Sequence, residues 1–217
     1  MTDITAPPGA LPRERASMIR GEALAVDQLP SYAFGARPLM FWGTLGVVAI
    51  EGTVFALAIV VYFYIRTQLH AWPPGLEPPR LIWGTVNVVL LLISVVPTEW
   101  TRRKAIKHDL GKVRIGIWIC LAFALVMILI RGLEFTVLNC RWDTNAYGSA
   151  VWLLLGLHTV HLVTDAYDTL VLAVLLMTGP LESKRFVDVE ENAVYWYFVV
   201  AAWLPVYAVI YIAPRLL

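Results

Sequence analysis

The sequence predicts an all-α, polytopic membrane protein of five transmembrane helices, with its N-terminus inside and its C-terminus outside. Three observations predict it. Hydrophobic residues make up 59% of the 217 positions and charged residues only 15%, at a mean hydropathy of +0.69, whereas a soluble domain carries about a quarter charged residues. The apolar residues gather into five long runs, too long for barrel strands and without period-two alternation. A helix then remains as the structure that satisfies every backbone group in lipid. The charges gather between the runs, twelve Lys and Arg on one side against four on the other.

The elements follow in order. Residues 1–38 are polar and hold Pro7, Pro8, Pro12, Pro30 and Pro38. They lack an apolar stretch of signal-peptide type, and they read as a soluble, partly disordered arm. Residues 39–217 form the five-helix domain. The spans are Leu39–Ile65, with Glu51 near its middle; Leu81–Thr98, ending at Pro97; Ile115–Glu134, interrupted late by Arg131; Ser149–Thr178; and Ala193–Ala213, rich in Tyr and Trp. Crossing ~30 Å of hydrocarbon takes ~20 residues. The second span barely reaches, and the first and fourth must tilt or project.

Orientation follows from the basic residues. The arm holds Arg13, Arg15, Arg20 and Arg37. The second loop holds Arg102, Arg103, Lys104, Lys107, Lys112 and Arg114, and the fourth holds Lys184 and Arg185. Arg66, Arg80, Arg141 and Arg215 lie opposite. The net charge of +1 supplies no field for nucleic acid. Cys120 and Cys140 sit at different depths, so no disulfide is expected. The chain contains no CxxC, no CxxCH, no GxGxxG after a strand and no phosphate loop. Four prolines between Pro73 and Pro79 predict a polyproline II stretch, either a stiff spacer or a docking surface for a partner.

Polar groups within the spans are the candidate functional residues. A charge at the centre of a bilayer costs about 2.5–3.5 kcal/mol on insertion scales. Glu51 therefore needs a partner, either as a neutral carboxyl hydrogen-bonded across helices or as a proton-relay acid. Arg131 and Glu134, three residues apart, share a helix face. They read as an ion pair ending the third span, or else Glu134 contacts span four or one. In the fourth span, His158, His161, Asp165 and Asp168 fall within roughly 80° of arc. This stripe admits a metal site, with the histidines at i,i+3 and Asp165 adding an oxygen. It also admits an acid–imidazole proton path, or a structural or subunit-interface cluster. His158 and His161 are too close in sequence to ligate one haem from both sides. Tyr195, Trp196, Tyr197, Trp203, Tyr207 and Tyr211 extend along most of the fifth span, so some must face other helices.

Three segments carry a resemblance. Phe41-Trp42-Gly43 through Ile50-Glu51-Gly52-Thr53-Val54-Phe55 resembles a family helix with a buried glutamate. Gly148-Ser149 through Gly156-Leu157-His158-Thr159-Val160-His161 resembles a Gly-Ser … Gly-Phe-His-Gly-x-His run. Asn192 through Trp203 to Tyr211 resembles a last helix with a Tyr-Trp-His-Phe-Val-Asp-x-x-Trp core. In order and spacing they are similar to subunit III of the haem-copper oxidases, the superfamily of cytochrome c and quinol oxidases, in its short five-helix bacterial form. Tyr197 replaces that family's His, Val200 replaces its Asp, and Asp165 and Asp168 stand where it has small or apolar residues.

The resemblance implies an accessory, non-catalytic subunit of a terminal oxidase in a bacterial plasma membrane. It implies packing against the catalytic subunit I, with subunit II nearby, and support of proton uptake and of the durability of the active site. It implies bound structural phospholipids, no metal or cofactor held by this chain, and haem and copper in the partner subunits. Glu51 matches the family's buried glutamate, His158 and His161 its histidine pair, and Glu134 an acid before the following outer segment. The alternatives are a subunit III-like protein of a quinol oxidase or nitric oxide reductase, or a stand-alone metal- or proton-handling membrane protein using the His158/His161/Asp165/Asp168 stripe.

Overall fold

The computed structural model describes residues 39–178 and 184–216; the expected N-terminal arm lies outside the described residues. Five helices are long and apolar enough to cross a membrane, and no strand occurs among the described residues. They are α1 (Leu39–Thr67), α2 (Leu81–Ile106), α3 (Leu110–Thr136), α4 (Ala146–Thr178) and α5 (Lys184–Tyr207). Past Pro205, α5 continues through a π-helical turn, Ala208–Ile212, and a last helical turn, Ala213–Leu216.

Helices α1 to α4 contain and outrun their expected spans, and the fifth span, Ala193–Ala213, runs from α5 through the π-helical turn. The largest differences are in α5, which begins at Lys184 instead of Ala193, and in α2, which passes Pro97 and ends at Ile106 instead of stopping near Thr98. Proline removes one ladder donor and crowds the preceding turn. The hydroxyls of Ser94, Thr98 and Thr101 donate to the carbonyls of Leu91, Ser94 and Pro97 at 2.7, 2.9 and 2.7 Å, supplying local donors around the interruption. Beyond it, Glu99 pairs with Arg102 and Arg103 at 2.8 and 2.7 Å, the i,i+3 and i,i+4 spacing that supports a polar helical extension.

Helices α2, α3, α4 and α5 close a ring, with α2 touching α3 and α5, and α4 touching α3 and α5. Two glycines set the close approaches. A Cβ at Gly116 would lie 2.1 Å from Thr101 Oγ1, and one at Gly84 would lie 2.6 Å from the Tyr211 ring. At the basic end, α2 turns into α3 through His108, whose φ of 53° is left-handed, and Asp109 Oδ1 accepts from Lys112 N to cap α3.

Helix α1 stands apart. It buries only Phe55, Ala58 and Tyr62. Phe55 meets His161 at 4.9 Å between ring centroids, and Tyr62 meets Trp72 at the same separation. Much of its remaining surface is apolar and exposed, which suits lipid or another chain. The proline-rich loop is only partly extended. Gly75, at φ 69°, allows a turn in its first half, and Arg80, at −64°/130°, is extended. Trp72 Nε1 donates to Tyr62 Oη, Asn139 Nδ2 to Glu77 O, and Arg215 Nη2 to Pro79 O. The loop is thus pinned by this chain's own side chains.

Candidate functional site

The polar groups expected within the spans divide into two clusters with different surroundings. The first lies inside the ring. Arg131, 0% exposed, and Glu134, 1% exposed, pair at 3.0 Å between α3 positions three apart. This is an interior ion pair, and the helix continues beyond it to Thr136. Glu134 reaches neither α4 nor α1. Its Oε2 accepts from Asn87 Nδ2 of α2 at 3.4 Å, and its Oε1 accepts from Tyr211 Oη of the π-helical turn. Arg131 lies over the Trp203 indole, 3.8 Å from the ring centroid, an arrangement favoured by the ring's negative face.

Arg131 also fixes His158. A guanidinium only donates, so His158 Nδ1 accepts from Arg131 Nη2 at 3.1 Å. Nε2 then carries the ring proton and donates to Val199 O at 3.0 Å. Both nitrogens are engaged, which leaves no lone pair for a metal. Among the described residues, no three His, Cys, Asp or Glu side chains are grouped to hold a metal ion.

The second cluster lies where α1 meets α4 and α5. Tyr195 Oη donates to Glu51 Oε2 at 2.8 Å, and His161 Nε2 lies 3.6 Å from that oxygen. A carbonyl only accepts, so His161 Nδ1 holds a proton toward Leu157 O at 2.6 Å. Nε2 is then the ring nitrogen that faces the Glu51 carboxyl. The Glu51 side chain is 26% exposed and that of His161 10%.

The four-residue stripe is split by the packing. His158, His161 and Asp165 are buried, and Asp168 is exposed. Asp165 faces the ring interior, whereas Asp168 lies just beyond the edge of the buried face. The fifth-span aromatics turn inward as their distribution requires. Trp196 Nε1 donates to Ser94 Oγ at 2.9 Å, Tyr197 Oη to Glu99 Oε2 at 2.7 Å, and Tyr207 shares a hydrogen bond with Thr85 at 2.7 Å. Asn87, the partner of Glu134, escaped the sequence reading; its signal is a lone amide in an otherwise apolar run. Both cysteines are free. Burial pushes the Cys140 thiol, in the loop before α4, up to about 11.

Comparison with known proteins places this geometry. A family model described as Cytochrome c oxidase subunit III matches residues 69–214, the part that builds the ring, while Glu51 precedes it. A cytochrome c oxidase subunit 3 of Pylaiella littoralis is 25% identical over 142 residues, 64% of this chain and 52% of that protein. One of Emericella nidulans is 26% identical over 177 residues, 77% of this chain and 65% of that protein. One of Synechocystis sp. is 23% identical over 182 residues, 82% of this chain and 77% of that protein. The chain thus spans about half to two thirds of the length of the first two relatives. The match covers more than half of the chain and falls on α2 to α5, and on that ground the chain belongs to the cytochrome c oxidase subunit III family.

Proposed function

We propose that this chain is the accessory subunit III of a haem-copper terminal oxidase of the cytochrome c oxidase type. It lies in a bacterial plasma membrane with its N-terminus inside, packs on the catalytic subunit I beside subunit II, and supports proton uptake and sustained turnover. Family membership supports the assembly, and the names of the relatives support the oxidase class. The excess of Lys and Arg in the loops on one side supports the orientation. Bond making belongs to the haem- and copper-bearing partners, and phospholipid covers the exposed apolar faces.

The observation that carries the proton role is the meeting of Glu51, Tyr195 and His161. The carboxyl is partly exposed, held by one phenol and faced by one imidazole nitrogen. Such a group can hold a proton within the membrane and exchange it with the facing imidazole, because moving the proton between the two leaves the pair neutral overall. The fixed tautomer of His158 favours this reading over a metal stripe.

The test is purification of the chain from its native membrane in mild detergent, with an optical spectrum and identification of what accompanies it. Haem bands that follow the chain, together with a large polytopic subunit, support the reading. A haem-free chain that purifies alone overturns it. In the assembled complex, Glu51→Ala should leave initial turnover near wild type while slowing proton uptake or shortening activity; unchanged endurance and uptake would remove Glu51 from the mechanism.

A further inference from the structure

Asp165 has no part in either cluster. It lies on α4 four residues past His161, is 1% exposed, and its Oδ1 has no hydrogen-bond partner. Thr169 is the side-chain hydrogen-bond neighbour of this carboxyl, but a buried oxygen without a donor is costly, and Oδ1 still calls for one. Asp165 lines a cavity of about 10 Å³ between α2, α3, α4 and α5, about the room that one water needs. Asp165 shares that lining with Thr98, Cys120, Thr169, Asn192 and Trp196.

The hydrogen bonds of these neighbours show what is spare. Thr98 gives its proton to Ser94 O at 2.9 Å, so its oxygen can still accept. Asn192 Nδ2 gives one proton to Thr169 Oγ1 at 3.1 Å and retains a second. Trp196 Nε1 is committed to Ser94 Oγ. Donor and acceptor capacity therefore surrounds a space of one water.

We propose that this cavity is a single-water site. The water donates to Asp165 Oδ1 and bonds to Thr98 or Asn192, giving the ring a hydrated internal acid separate from Glu51. A hard cation suits it less. The lining sets a thiol, an indole and methyls beside the side-chain oxygens of Thr98, Asp165, Thr169 and Asn192, and some of these are already bonded to one another or to backbone, whereas such ions take about six oxygen ligands or more. A buried carboxyl in contact with water exchanges its proton with solvent hydrogen far faster than one sealed in side chains. The site also links α4 to α2 and α5 by polar contacts that apolar packing would not supply.

A high-resolution density map of the full chain in its native complex tests this. The expected result is one peak within hydrogen-bond distance of Asp165 Oδ1 and of Thr98 Oγ1 or an Asn192 amide atom. An empty cavity overturns the proposal, as does Oδ1 turned onto a protein donor, or a peak whose occupancy follows sodium concentration. Infrared spectroscopy gives a second readout on the same complex. The carboxyl band lost in Asp165→Asn should shift within minutes of transfer to D2O, whereas a band that shifts only as slowly as the deepest amides overturns the site. Asp165→Leu should remove the peak while haem subunits still copurify, so loss of the water site and failure of the oxidase reading are told apart.

Discussion

Glu134 and Glu51 are both carboxylates on apolar helices, and the protein treats them oppositely. Glu134 is 1% exposed, paired with Arg131 and bonded to Asn87 and Tyr211 from two further helices. Glu51 sits on the helix least embedded in the fold, holds one phenol at 2.8 Å and faces an imidazole at 3.6 Å. A charge enclosed on all sides is strongly destabilising to break and of little use for moving protons, since each transfer would strand its partner. A partly exposed acid held by one phenol and one more distant imidazole adds less to stability than an enclosed ion pair. The first region ties side chains of several helices together; the second is the one proposed to act.

The sharpest way to break this comparison is Arg131→Met. Removing one member of a buried pair typically costs about 3–5 kcal/mol, because the other charge is left uncompensated. The chain should accumulate poorly or show a much lower Tm in the purified complex. The double change Arg131→Met with Glu134→Gln should recover much of the loss. If the single change melts like wild type, the interior pair is not what secures the ring. Gly84→Ala comes next. Its methyl would lie 2.6 Å from the Tyr211 ring, the phenol that bonds Glu134. Overpacking of this kind costs about 1–3 kcal/mol, read as a lower Tm with the haem spectrum retained.

Glu51→Gln should be milder. The amide keeps an acceptor for Tyr195, and one partly exposed hydrogen bond is worth about 0.5–1.5 kcal/mol. The Tm should hardly move, while sustained turnover or proton uptake falls. A large drop in Tm would make Glu51 structural after all and erase the contrast with Glu134.

The five helices were legible because apolar length and charge placement are set by the bilayer and need no tertiary contact. Pro97 misled the end of α2, since what carries a helix past a proline is the hydroxyls of Ser94, Thr98 and Thr101 bonding to its own backbone. Glu51 stood out in the sequence, yet its partner Tyr195 lies 144 positions away, and only packing joins them. The ideal helical arc put Asp168 with Asp165, but the ring's buried face ends between them. Arg131 and Glu134 were visible as neighbours. Their enclosure by Asn87, Trp203 and Tyr211 depended on the close approach that Gly84 and the π-helical turn permit.

The smallest predicted effect concerns Cys140, which belongs to the same apolar core as Tyr62, Tyr147 and the ring. Its thiol is pushed from 9.0 up to about 11 by burial, and only the thiolate attacks an alkylating reagent. Labelling in the intact complex should be slow near neutral pH and rise about tenfold per pH unit until roughly 11. The fold favours the neutral thiol, so this contribution to stability is complete below pH 9.0 and declines as pH climbs toward 11. Trp72→Phe removes the hydrogen bond to Tyr62 that ties α1 to the proline-rich loop. If α1 and its loop loosen independently of the ring, that change should speed Cys140 labelling severalfold with no change in Tm. If the ring and α1 open as one unit, the labelling rate should move only when the Tm does, and the division between a holding region and an acting region would have to be redrawn.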